Sequence, residues 1–251
     1  MANSERQSVR AVDTMFSILE TVQQREVAGV TELARELDKS KSNVYKHMIT
    51  LCEHGLVVRD GNEFRLGLRP FEMGSLARRR HPLYREAAAN VQELADVTNE
   101  SAALLVPNRR MGIYIQSINP DDRSTPGSVE GTRCRLHETA SGQAILACYG
   151  PEKRDKLLPE TLADNKQQTL TENVDRIDKD GITVATLPWD SDLCEIAAPI
   201  TVEEDPVGSI GLLIDSTNDS SDRIGPNYGQ IVKKMGKTLS KRMHLRRGSE
   251  A

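Results

Sequence analysis

Ser40, Lys41, Ser42, Asn43, Tyr45 and Lys46 place hydroxyl, amide and ammonium groups within seven consecutive positions. Ser and Asn side chains bond to base edges, and Lys meets a guanine edge or a phosphate. Arg59 and Arg65, further along, suit contacts to a flanking phosphate backbone. A second possible chemistry lies at Cys134 and His137, since a Cys–His pair can make a nucleophile. No third group is placed to orient that pair, and no GxSxG, P-loop or GxGxxG motif is present. Catalysis is therefore not expected. The four cysteines (Cys52, Cys134, Cys148, Cys194) are far apart, with no CxxC and no Cys/His cluster. Neither a disulfide framework nor a metal site is expected, no cofactor is implied, and a reducing cytoplasm is the default location.

The elements needed to present Ser40–Lys46 can be read from periodicity. Val9, Val12, Phe16, Leu19 and Val22, with Met15 and Ile18 beside them, predict an amphipathic helix. Thr31 reads as the N-cap of a second, short helix carrying Leu33, Ala34 and Leu37, with Glu32 at its positive end. Ser40 caps a third helix in which Val44, Met48 and Leu51 share the inward face, and Gly55 ends it. Steps of about 100° then put Ser42, Asn43 and Lys46 on the outward face, flanked by Lys41 and Tyr45. The pattern next changes to a hairpin around Asp60-Gly61-Asn62, with Leu56–Val58 on one side and Phe64–Leu66 on the other. Three helices and a hairpin make a winged helix-turn-helix, whose recognition helix reads bases chiefly through its N-terminal residues.

A linker helix follows, with the cationic run Arg78-Arg79-Arg80, and Pro82 marks a break after His81. The run either touches phosphates or is simply solvated. Beyond it, helices are expected at 83–98, 139–148, 152–158, 172–180 and 227–246, the last with Ile231, Met235, Leu239 and Met243 on one face. Strands are expected at 102–106, 112–118, 182–186, 194–201 and 207–215. The fold class is α+β. The expected division is 1–68 for the winged helix-turn-helix, 69–82 for the linker helix and 83–251 for a second domain.

Composition supports this division. The chain has 251 residues and a formal net charge of −4. Residues 1–80 hold 13 Lys and Arg against 11 Asp and Glu, a net of +2, and the remainder holds 20 against 26, a net of −6. A mildly basic front beside an acidic rear suggests different partners. One Trp, three Phe and five Tyr are too few for a single-strand stacking platform. No apolar run approaches a membrane span, so no membrane association is expected.

The residues also resemble those of the isocitrate lyase regulator (IclR) family of transcription factors. SVRAVDTMFSILE (8–20) and TELARELDKSKSNVYKHMITL (31–51) are similar to the family's opening, second and recognition helices. FRLGLRPFEMG (64–74) resembles its wing and linker start, GTRCRLHETASGQAILA (131–147) its central signature, and EIAAPI (195–200) with VGSIGLLI (207–214) its final strand pair. The resemblance implies a homodimer or homotetramer acting on a roughly palindromic double-stranded DNA operator. It also implies a GAF-like rear domain that holds a small-molecule effector and thereby alters transcription of catabolic genes. The alternative is a metabolite-sensing module that acts through protein partners rather than DNA.

By the same resemblance, the effector lies near the Ala140 and Ser141 amides, at the start of a helix where N–H groups and the dipole favour an anion. The implied floor is Cys194, Glu195, Gly211 and Leu213, with an acidic contact from Asp190 or Asp192 and an apolar wall from Leu104, Ile113 and Leu136. This chain departs from the family pattern. Glu195 stands where a Cys is common, Gly211 and Leu213 where two alternating serines are, and Gln143 where Lys is usual. A buried, unpaired Glu195 would disfavour a carboxylate ligand, whereas Arg133 or Arg135 would neutralise it. The effector is thus either an organic acid or a neutral, sugar-derived compound, or there is none.

Overall fold

The computed structural model describes residues 9–120, 129–159, 164–216 and 226–249. Their contacts divide the chain into two compact units, Met1–Arg79 and Arg80–Ala251. In the first unit, α1 (Arg10–Arg25), α2 (Val30–Glu36) and α3 (Lys41–Glu53) pack with a small antiparallel sheet of β1 (Ala28–Gly29), β2 (Val57–Asp60) and β3 (Glu63–Leu66), ordered β1-β3-β2. One core of Ile18, Val22, Leu33, Val44, Met48, Leu51, Val57 and Phe64 draws on these three helices and on the hairpin. This is the winged helix-turn-helix that the periodicity predicts.

Two details differ. The buried edge of α1 is Ile18, Thr21 and Val22, while Val9, Val12 and Phe16 are exposed. The apolar stripe of α1 is therefore wider than this unit's own core can cover. The N-cap of α2 is Gly29, not Thr31, and Glu32 Oε2 accepts the Gly29 N–H at 3.1 Å. An acidic residue at the third helical position can satisfy the cap backbone without a capping hydroxyl, so the helix starts two residues early.

The linker helix, α4 (Arg69–Arg80), runs to His81, and α5 (Pro82–Thr98) begins at the proline. Pro is tolerated at a first helical position because that N–H has no intrahelical partner. The second unit is a six-stranded antiparallel sheet ordered β6-β5-β4-β9-β8-β7. Its strands are β4 (Ser101–Asn108), β5 (Met111–Ile118), β6 (Arg133–Arg135), β7 (Thr183–Leu187), β8 (Asp190–Val202) and β9 (Asp205–Asp215). The expected strands are present but longer, and the short edge strand β6 gave no periodic signal in three residues.

Both faces of the sheet are covered. One carries α5 and α9 (Pro226–Ser249), over Ala102, Leu104, Ile196, Ala198, Ile210 and Leu212. The other carries α6 (Ala140–Ala147) and α8 (Asp164–Asp180), over Ala103, Leu105, Tyr114 and Leu213 and over Ala197. A short α7 (Pro151–Leu157) joins α6 to the segment before α8. The buried line of α9 is Val232, Leu239 and Met243; Ile231 and Met235 are only partly covered. The helix is turned by Gly236, where a Cβ would lie 2.9 Å from the Pro199 carbonyl oxygen. Close approach of helix to strand at that glycine, rather than the largest side chains, sets which face is buried.

Candidate functional site

The two sets of candidate residues occupy different units and are described separately. In the N-terminal unit, Ser40 adopts an extended cap conformation and its Oγ accepts the Asn43 N–H at 3.2 Å. This fixes where α3 begins. Val44, Met48 and Leu51 then anchor the helix, with none more than 1% exposed. The anchoring leaves Lys41, Ser42, Asn43, Tyr45 and Lys46 exposed on the leading turns, as their spacing predicts. The C-terminal end of α3 is closed at Gly55, with φ +67°, a left-handed conformation that favours glycine.

The wing residues are less uniform. Val58 pairs with Arg65, and Arg59 with Phe64. Directly opposed residues share a face of a hairpin, so Arg59 and Arg65 lie on opposite faces. Arg59 donates from Nε to the Gly61 carbonyl at 2.7 Å and lies 5.8 Å from the Phe64 ring centroid. It braces its own turn. Arg65 is exposed.

In the C-terminal unit the centre is Glu195, which is wholly buried. The β8–β9 register opposes Glu195 to Leu213 and Ala197 to Gly211, on the face under α6. From α6, the Ser141 N–H donates to Glu195 Oε2 at 2.9 Å and the Ser141 hydroxyl to Oε1 at 2.6 Å. From β5, the Tyr114 hydroxyl donates to Oε1 at 2.9 Å. The carboxyl group thus occupies the N-terminus of α6, where backbone donors and the helix dipole favour negative charge. Thr139 caps the same helix, its Oγ1 accepting the Gly142 N–H at 3.1 Å. Thr183 Oγ1 donates to the Ala140 carbonyl at 2.7 Å, and Asn173 Nδ2 to Gln143 Oε1 at 2.6 Å. Gln143 in turn donates to the His137 carbonyl at 3.0 Å. A neutral amide therefore stands where the resemblance implies Lys.

Full burial pushes the Glu195 carboxyl up from its ordinary range, although the Ser141 hydroxyl and N–H, the Tyr114 hydroxyl and the Ala140 backbone all favour its ionised form. Tyr114 is held well above the usual phenol range, first by burial and then by the Glu195 charge. The folded chain thus binds a proton at Glu195 at a pH where the unfolded chain has lost it. Stability falls as pH rises from the ordinary carboxylate value through the raised one. Glu195→Gln is expected to lack that contribution. Urea unfolding at a series of pH values, compared between the two proteins, checks it: the difference in slope should be confined to that window.

Several expected members lie elsewhere. Leu104 faces α5 and α9, on the opposite side of the sheet. Ile113 opposes Val106, which belongs to that same side, and Cys194 opposes Ile214, which also does. Asp190 accepts the Asp192 N–H at 3.0 Å, folding back onto its own strand, and Asp192 is exposed. Neither Arg133 nor Arg135 neutralises Glu195; both are exposed on β6. Ala140, Ser141, Glu195, Leu136, Gly211 and Leu213 do line the α6 side of the sheet.

Tyr114 and Thr139 also belong to this cluster, outside the set of residues that the resemblance implies. A hydroxyl-bearing aromatic between Ile113 and Ile115 in an apolar strand was the available signal, because a buried phenol needs a partner. Its ring also meets Trp189 edge-on, 6.4 Å between centroids. The Cys134 thiol is pushed up to about 12, chiefly by burial, and is a protonated thiol at neutral pH. Among the described residues, no group of three or more His, Cys, Asp or Glu is placed to hold a metal ion. No helix among them is long and apolar enough to cross a membrane.

The chain matches two family models: the IclR helix-turn-helix domain over residues 11–61 and the bacterial transcriptional regulator IclR C-terminal domain over residues 76–241. The HTH-type transcriptional regulator KdgR of Dickeya chrysanthemi is 31% identical over 153 residues, covering 60% of this chain and 50% of that protein. The chain spans about half the length of the first curated relatives it matches. Among solved structures, the Thermotoga maritima IclR superposes with a TM-score of 0.69 at 24% identity, covering 94% of this chain and 99% of that one. An IclR homolog from Microbacterium hydrocarbonoxydans, complexed with 4-hydroxybenzoate, gives 0.71 at 17% identity, covering 92% and 99%. These likenesses carry the fold. With 76–241 alone taking in well over half of its residues, the chain belongs to the IclR family of bacterial transcriptional regulators.

Proposed function

We propose that the chain is a sequence-specific DNA-binding transcriptional regulator of the cytoplasm, controlled by a small molecule in its C-terminal unit and acting without catalysis. The observation that carries the reading is the exposed leading turn of α3, with Lys41, Ser42, Asn43 and Lys46 outward on a helix whose opposite face is fully buried. That arrangement suits insertion into a major groove. Relatives named as transcriptional regulators support it. The relative holding 4-hydroxybenzoate supports control by a small molecule.

A second copy of the chain completes the reading. Val9, Val12 and Phe16 are 65%, 45% and 55% exposed on one stripe of α1. An uncovered apolar stripe of this kind marks a contact surface, and two copies match a roughly palindromic operator. Phe16→Asp is expected to reduce a two-half-site footprint to a single half-site, as read by nuclease protection. The reading as a whole is tested by selecting duplexes from a random-sequence library with the full chain. Enrichment of one sequence, bound about 10³-fold or more over its scrambled control, is expected. A chain that enriches nothing at low salt overturns the DNA reading.

A further inference from the structure

We infer that Glu195 is a tethered occupant of an anion site, so that the site at the start of α6 rejects small carboxylic acids in this chain and would accept them if Glu195 were shortened. The inference deepens the effector reading above and rests on it only in treating this place as a ligand site.

The argument is one of donors and space. A carboxylate offers about four lone-pair positions. At Glu195, Oε1 takes the Ser141 and Tyr114 hydroxyls, and Oε2 takes the Ser141 N–H. The donors come from α6 and β5, while the carboxylate comes from β8. The cluster is thus built as a binding site is built, from separate elements converging on one anion. All three residues are wholly buried. A free carboxylate arriving here would find its donors taken and its place filled by the Glu195 carboxyl group, and would be buried without partners. Replacement of one carboxylate by another is blocked because the resident one cannot leave. The sheet beneath gives no further room: a Cβ on Gly211 would lie 3.2 Å from Ala197 Cβ and 2.7 Å from the Ile196 carbonyl oxygen. Of the alternatives left open by the residue types, an organic acid is therefore disfavoured at this place, which leaves a neutral compound or none.

Glu195→Ala removes Cγ and the carboxyl group, a fragment the size of acetate, while leaving the Ser141 and Tyr114 donors in place. The test is the melting temperature of the full chain in sodium acetate against sodium chloride of equal ionic strength, at neutral pH. The parent chain should show no saturable response. Glu195→Ala should gain several degrees, saturably, with acetate, and less with bulkier benzoate. Glu195→Gln, which keeps the space filled, should stay flat. Trp189, the chain's single Trp, lies against Tyr114 and gives an independent fluorescence signal. If Glu195→Ala does not fold, its refolding yield replaces the melt, and recovery in acetate but not in chloride is the supporting result. A saturable response of the parent chain to acetate overturns the inference, as does a folded or refolding Glu195→Ala that ignores acetate. Operator binding plays no part in this readout, so failure of the DNA reading and failure of this one are separately visible.

Discussion

Gly142→Ala is expected to unfold the C-terminal unit or lower its stability by more than about 3 kcal/mol. Overpacking typically costs about 1–3 kcal/mol when side chains can shift, but here the obstacle is backbone. A Cβ at position 142 would fall on the Leu136 carbonyl oxygen and within 2.6 Å of the Leu136 Cα. Leu136 cannot retreat, because it is 1% exposed and packs with Tyr114, Cys134 and Ile145. Gly142 cannot retreat either, since its N–H is held by the Thr139 cap. Any movement of α6 also withdraws the Ser141 donors from Glu195, leaving buried polar groups without partners. Trp189 lies between β7 and β8 and reports this unit, so urea unfolding followed by its fluorescence provides the measurement. An unchanged midpoint would show that α6 and the preceding turn do not meet as described.

Asn43→Ala and Lys46→Ala are each expected to weaken specific duplex binding by about 1–3 kcal/mol, roughly 5- to 150-fold. The two residues are three apart on the exposed face of α3 and both side chains point away from Val44 and Met48. Neither loss should disturb folding, because the core and the Ser40 cap are untouched. Their proximity makes the double variant non-additive. Arg79→Ala, on exposed α4, is the contrast: if it meets phosphate, it weakens all sequences alike and flattens the salt dependence. Titrations of the selected duplex and its scrambled control at several salt concentrations separate the two behaviours. Equal losses on both duplexes for Asn43→Ala would mean that it does not read bases.

The recognition helix was legible because three local signals agree there. Ser40 is a cap, Val44, Met48 and Leu51 fall at helical spacing, and Gly55 supplies a left-handed stop. The longer strands of the rear unit were legible as apolar runs bounded by turn residues, while the three-residue β6 was not. The site was only half legible. Ala140, Ser141 and Glu195 come together at the start of α6, whereas Leu104 and Ile113 fall on the far face of the sheet. Strand alternation separates Ala102, Leu104 and Val106, towards α5 and α9, from Ala103 and Leu105, towards α6, and in an apolar run residue type does not say which set meets which helix. Nor could spacing show that Glu195 would find a hydroxyl from β5 instead of an arginine from β6. Tyr114 and Glu195 are 81 residues apart and meet only through the sheet and α6. In α1 the exposed Val9, Val12 and Phe16 are as apolar as the buried Ile18 and Val22, so residue type does not mark the buried edge.

The central claim is that the leading turn of α3 lies in a major groove. Dimethyl sulfate probes it directly, because guanine N7 lies in the major groove and adenine N3 in the minor. On a guanine-containing selected duplex, the chain should protect guanine N7 in two clusters about one helical turn apart or a multiple of it. Asn43→Ala and Lys46→Ala should lose that protection first. A bound duplex whose guanine N7 positions stay as reactive as in free DNA would contradict the account.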